Sequence, residues 1–244
     1  MQRRARPYHC IALLAFTLMT ASVAYGEPSQ ATEAHFLDPH QVDLGALLAP
    51  PPAPDSAQQQ VDLAKVLDVQ RTRTHEQVVH AEADVTKSVF RFADVLGPEF
   101  SEANLPKTTV LFQMAQNDAA LIARQGKDHF RRARPYIASS DVHPTVPINP
   151  KDANESYPSG HATVGYMTAI LLAQMVPEKR DALFARGREY GENRVIDGVH
   201  YPSDVEAGRI DGTLVAAALM NDPAFQKAFA DARAEVRHAL SLPN

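Results

Sequence analysis

The chain has 244 residues, of which 45% are hydrophobic and 22% charged, and its formal net charge is −5. That length suits one sizeable domain with a buried core, and the composition excludes a wholly disordered chain. The mildly acidic total also lacks the basic footprint of a nucleic-acid binder.

In chain order, residues 1–26 come first. Arg3, Arg4 and Arg6 precede an apolar run over residues 11–24, and Ala24-Tyr25-Gly26 places small residues where a signal peptidase reads them. This pattern predicts a cleaved signal peptide and an exported protein. The run of about 14 residues is short of the roughly 20 that span a bilayer. The single cysteine, Cys10, falls inside this segment. The processed chain is therefore expected to have no disulfide, no Cys metal ligand and no Cys nucleophile. Its longest apolar stretch, residues 164–176, is closed by Pro177 and has the length of a buried helix in a soluble domain.

Residues 27–56 show little periodicity and end in Pro50-Pro51-Pro52-Ala53-Pro54. They read as an extended, Pro-rich arm lying on the surface of a helical domain that occupies residues 57–244. Within that domain Val61, Ala64, Val66, Leu67 and Val69 mark a first helix. Thr74 and Gln77 form a capping box before a second, which carries Val78, Val85, Val89 and Phe92 to a stop at Gly97-Pro98. A third is expected from Pro106 to Arg134, ended by Pro135. Residues 136–157 form a polar loop long enough to be functional. One helix then follows Ser159, another spans about 178–195, and a third begins at Ser203 with Glu206 completing a capping box. Asp222-Pro223 opens the last, with Phe225, Phe229, Ala232 and Val236 on one face. Strand signals are nearly absent and no repeat is present, so the expected fold class is a single all-α helical bundle.

Three short stretches concentrate polar residues. Lys127 and Arg134 are seven apart, which on one helix places two cations on one face, suited to an anion with several oxygens. Arg131 and Arg132, between them, fit a solvated basic face. Tyr157-Pro158-Ser159-Gly160-His161 offers free N–H groups and a dipole at a helix N-terminus, a natural anion site with His161 in the first turn. In the third stretch, Arg194 adds a cation and His200 precedes a helix whose first turn holds Asp204. An aspartate on one imidazole nitrogen fixes the tautomer and frees the other to attack or ligate.

Lys-x6-Arg-Pro, Pro-Ser-Gly-His and Arg-x5-His-x3-Asp, in that order, resemble the signature of the type 2 phosphatidic-acid phosphatase superfamily. Within it the chain is most similar to the class A non-specific acid phosphatases of bacterial periplasms. Phe36-Leu37-Asp38-Pro39 and Gly191-Glu192-Asn193-Arg194-Val195-Ile196 add to the likeness. The resemblance implies a periplasmic enzyme that hydrolyses a broad range of phosphomonoesters without a metal or other cofactor. It implies a phosphohistidine formed on His200, oriented by Asp204, with His161 as general acid and base. Lys127, Arg134, Ser159, Gly160 and Arg194 would hold the phosphate. Inhibition by phosphate and vanadate, phosphotransfer to alcohols and a homo-oligomer are further implications. Asn193 departs from the family's usual Ser before the third-stretch Arg. The competing readings are a vanadium-dependent haloperoxidase, with vanadate on His200, and a non-enzymatic phosphate-binding protein, which has no need of His161 or Asp204.

Overall fold

The computed structural model describes residues 34–243, and the signal-peptide reading of residues 1–26 lies outside them. Among the described residues there is no strand. The helices are α1 (Leu44–Leu47), α2 (Ala57–Thr72), α3 (His75–Ala83), α4 (Ala93–Leu96), α5 (Pro106–Phe130), α6 (Pro135–Ala138), α7 (Gly160–Met175), α8 (Arg180–Ile196), α9 (Pro202–Asn221) and α10 (Pro223–Ala239). No described helix is long and apolar enough to cross a membrane.

The centre of the bundle is α7. It is apolar on nearly every side, so it is buried on nearly every side: Val164, Met167, Leu171, Leu172 and Met175 are all in the core. Helices α8 and α9 lie against it at backbone distance. A Cβ on Gly165 would stand 2.9 Å from the Tyr190 Cβ, and one on Gly208 would collide with the Ser159 carbonyl. Helix α5 closes the bundle with Leu111, Phe112, Ala115, Ala119 and Ile122. Glu235 of α10 caps it, accepting from the backbone N–H groups of Lys107 and Thr108 at 3.0 and 2.8 Å.

Four sequence expectations are corrected. The described part of the arm is not laid on the surface: Leu37, Val42, Leu44 and Leu48 are buried in the main core. Buried Asp118 of α5 ties it down, accepting from the N–H groups of His35, Phe36 and Leu37 at 2.7, 2.9 and 3.1 Å. The second predicted helix breaks after Ala83, because fully buried Asp84 turns its carboxylate to Arg91, Arg186 and Asn193. Helix α5 ends at Phe130, not Arg134. Arg131 takes the left-handed conformation (φ 48°), and residue 134 is kept extended by Pro135. Finally, α9 starts at Pro202 rather than Ser203, and Asp204, not Glu206, reaches back to accept the Tyr201 N–H at 2.8 Å.

Candidate active site

The three polar stretches meet where the N-terminal ends of α7 and α9 converge on the C-terminal ends of α5 and α8. Asp204 sits in the first turn of α9, and His200 stands two residues ahead of that helix. The His200 Nδ1 lies 3.3 Å from Asp204 Oδ2, and its Nε2 lies 2.9 Å from Arg134 Nη1. A guanidinium can only donate, so Nε2 carries the lone pair and Nδ1 the proton. His200 is thus held neutral, with the Nε2 lone pair turned toward the cations. Burial drives its pKa well below the usual imidazole value, and Arg134, Lys127 and Arg194 press it further the same way.

Asp204 is itself anchored. Its Oδ1 accepts from Arg132 at 2.6 Å, and its Oδ2 accepts from Ser156 Oγ at 2.6 Å and from the Tyr201 N–H. Sequence reasoning put Arg132 on a solvated basic face; the structure buries it. Arg132 also donates to Asp62 and Gln59 of α2 and stacks 4.1 Å above the Tyr201 ring.

His161 is half-buried in the first turn of α7. Its Nε2 is 3.0 Å from the Val85 carbonyl, an acceptor, so Nε2 bears a proton and Nδ1 is the nitrogen free to exchange one. Burial, then Arg194 and Lys87, hold its pKa well below the ordinary value, against the pull of that carbonyl. A bound phosphate dianion reverses the sign of this field and favours the imidazolium.

Lys127 and Arg134 do reach the same pocket, though not from one helix face. Lys127 leaves the last turn of α5 and donates to the Glu155 carbonyl. Arg134 comes from the extended segment after α5 and donates to the Val199 carbonyl at 2.8 Å. Burial, with repulsion from Arg134 and Lys87, brings Lys127 down to about 7. Arg194, at the end of α8, is buried and paired to Asp197, and its Nε has no partner. Ser159 is buried as the N-cap of α7, its Oγ 3.4 Å from the Ala162 N–H; as an acceptor it keeps a hydroxyl proton to give. Among the described residues the N–H groups of Gly160 and His161 make no hydrogen bond, the state expected of an N-terminal anion cradle.

Asn193 turns away from this cradle: its amide donates to Asp84 at 2.7 Å. Burial alone would raise the Asp84 pKa, but Arg186, Arg91 and Asn193 together hold it below its ordinary value. The 84–88 turn is pinned further by Tyr190, whose hydroxyl donates to the Thr86 carbonyl at 2.7 Å. This turn delivers a cation that sequence reasoning missed, Lys87. Its ammonium lies 3.8 Å from where a Cβ on Gly160 would stand. Desolvation of the ammonium at the pocket wall, with repulsion from Arg194 and Arg134 and against the pull of Asp152, lowers it to about 8, although the residue as a whole is exposed. A separate groove of about 760 Å³, bordered by Lys65, Arg73, Tyr166, Glu192 and Arg209, holds neither histidine.

Below the cradle, Asp211 of α9 is fully buried and its carboxyl is pushed up to about 7 by burial. Its Oδ2 is 2.8 Å from Thr163 Oγ1, which is also 3.1 Å from the Ser159 carbonyl. One hydroxyl proton cannot serve two acceptors, so a protonated Asp211 donates to Thr163, which donates to Ser159. The folded chain then binds a proton the unfolded chain has lost, between about pH 4 and 7. Stability falls as pH rises through that window and stays lowered above it, by on the order of a few kcal/mol. Asp211→Asn, which donates at any pH, is expected to match wild type in Tm near pH 4 and exceed it by several degrees at pH 8. Equal Tm values at both pH values would refute this account.

Three comparisons with known proteins bear on the family and the fold. Residues 108–227 match the family model of the PAP2 superfamily. The chain is 32% identical over 204 residues to a non-specific acid phosphatase of Providencia stuartii, covering 80% of this chain and 81% of that one. It is 29% identical over 237 residues to an acid phosphatase of Zymomonas mobilis, covering 93% and 87%. Among solved structures it resembles a holo-type bacterial vanadium-dependent chloroperoxidase, with TM-score 0.60 and 15% identity over 86% of this chain and 55% of that longer one. The last likeness is one of fold.

Proposed function

Because the chain belongs to the PAP2 superfamily, alongside the non-specific acid phosphatases, we propose that it is an acid phosphatase that hydrolyses phosphomonoesters through a phosphohistidine on His200. The observation that carries this reading is the His200 tautomer, with Nδ1 on Asp204 and the Nε2 lone pair turned toward cations. Lys127, Arg134 and Arg194, with the Ser159 hydroxyl and Gly160 N–H, take the equatorial oxygens. Arg134 gives up its bond to Nε2 as it does so. The Nε2 lone pair attacks phosphorus, the P–O ester bond breaks, and the leaving oxygen takes the proton of His161 Nδ1. Water then gives its proton back to His161 and displaces His200, releasing inorganic phosphate. The haloperoxidase alternative has only the shared fold in its favour.

Acid conditions suit this arrangement, since Lys127 falls to about 7 in the free pocket and is fully charged only below that. Turnover is therefore expected to decline as pH rises through neutrality. Three cations meet the charge of the phosphate, so activity on several phosphomonoesters is expected to survive EDTA. Vanadate, which adopts the five-coordinate geometry of the transition state, is expected to compete with substrate and bind more tightly than phosphate. Loss of turnover in chelator, restored by a divalent ion, would overturn the metal-independent mechanism.

The reading extends to location. Export to the periplasm, with cleavage of the signal peptide near Gly26, is supported by the Arg-rich start and the short apolar run. N-terminal sequencing of enzyme released by osmotic shock tests it. A homo-oligomer and phosphotransfer to alcohols belong to the same proposal, and are read out by sedimentation and by product analysis in added glycerol.

A further inference from the structure

Lys87 stands apart from the other cations of the pocket. Arg194 is paired with Asp197, while Lys127 and Arg134 rest on backbone carbonyls. Among the described residues Lys87 makes no such bond, and the residue is exposed. It also lies on a particular side. Arg134 and Arg194 bear on both histidines and Lys127 on His200, while Lys87 bears on His161 and stands at the Gly160 end of the cradle, on the turn whose Val85 carbonyl meets His161. In an in-line displacement the nucleophile and the leaving group are on opposite sides of phosphorus. The His161 side is where the alcohol departs.

The 84–88 turn does not hold this ammonium there by chance of a floppy loop. The turn is clamped by the Asp84 carboxylate, by Tyr190 on the Thr86 carbonyl, and by His161 on the Val85 carbonyl. The result is a positioned cation beside the leaving group that makes no salt bridge among the described residues, with Asp152 the carboxylate that pulls on it from beyond ion-pair distance.

We propose that Lys87 is a specificity-determining residue that binds a second anionic group carried by the leaving alcohol, so that phosphomonoesters with a carboxylate or further phosphate close to the ester bond are preferred. The assignment rests on the phosphatase reading above, and names its substrate class. Lys87 takes no proton from the substrate and forms no bond to phosphorus; its ammonium donates a charge-assisted hydrogen bond to the second anion.

The test compares 2-phosphoglycerate with glycerol 2-phosphate, which differ by a carboxylate in place of a hydroxymethyl group on the leaving alcohol. In Lys87→Met the ratio of kcat/KM, carboxylate ester over neutral ester, is expected to fall by about tenfold or more, the loss of one charge-assisted hydrogen bond. Lys87→Arg is expected to keep most of the preference. Lys87→Met with a ratio within twofold of wild type overturns the assignment, whether both rates fall together or neither does. A wild-type enzyme that releases no phosphate from either ester overturns the phosphatase reading, and this assignment with it.

Discussion

His200→Ala is expected to accumulate no phosphoenzyme and to lose at least about 10⁴-fold in turnover, as removal of a covalent nucleophile does elsewhere. No other imidazole in the pocket presents a lone pair to the cations with its second nitrogen on a carboxylate. His161→Ala is expected to behave differently. Attack by His200 stays possible, so an activated aryl phosphate, whose leaving group needs no proton, loses little. An alkyl phosphate loses the help of a general acid, about 10²–10⁴-fold. Rapid-quench trapping of the acid-labile phosphohistidine, with rates on both substrate types, measures the division. Phosphoenzyme in His200→Ala, or equal loss on both substrates in His161→Ala, would show the roles to be wrongly assigned.

The largest expected loss of stability comes from a residue that touches no substrate. Arg132 lies between Asp204 and Asp62, and its guanidinium is buried with both carboxylates. Arg132→Met keeps much of the volume over the Tyr201 ring but leaves two acids uncompensated in the interior. Breaking a buried pair this way costs about 3–5 kcal/mol. At about 2–4 °C per kcal/mol for a chain of this size, Tm falls on the order of 10 °C. The double variant Arg132→Met/Asp62→Asn recovers part of it, since one stranded charge is removed. A thermal melt of Arg132→Met within about 2 °C of wild type would mean that solvent already reaches this network.

The histidines of the site were legible in the sequence because each sits beside a helix start. Pro-Ser-Gly ahead of the apolar run of α7, and Asp204 four residues past His200, are local patterns with local consequences. Thr74, Ser159 and Asp222 cap their helices as their sequence context predicts. What was not legible depends on distant partners. Asp84 breaks a periodic helix because Arg186 and Asn193, about a hundred residues on, supply its donors. Arg132 carries the same basic label as Arg131, yet one is buried between acids and the other exposed. Lys87, between Thr86 and Ser88 in that unforeseen break, belongs to no motif. The spacing of Lys127 and Arg134 singled out two residues that the structure does bring to one pocket, on a helix that stops short of the second.

The glycines where α7 meets α8 and α9 bear on how such an enzyme can change. With Gly165 against Tyr190 and Gly208 against Ser159, two helix pairs touch with no side-chain layer to give way. His161, Arg194 and Asp204 are all set by these contacts. Substitutions that alter the leaving-group preference must therefore accumulate in the 84–88 turn and in residues 136–157, which border the pocket without forming the contact. Libraries randomised there, with buried Asp84, Val142, Ser156 and Tyr157 held fixed, should yield altered substrate range at ordinary expression, while libraries across the three-helix seam should yield mostly insoluble protein. A lineage can exchange its substrates while its phosphoryl-transfer apparatus stays frozen.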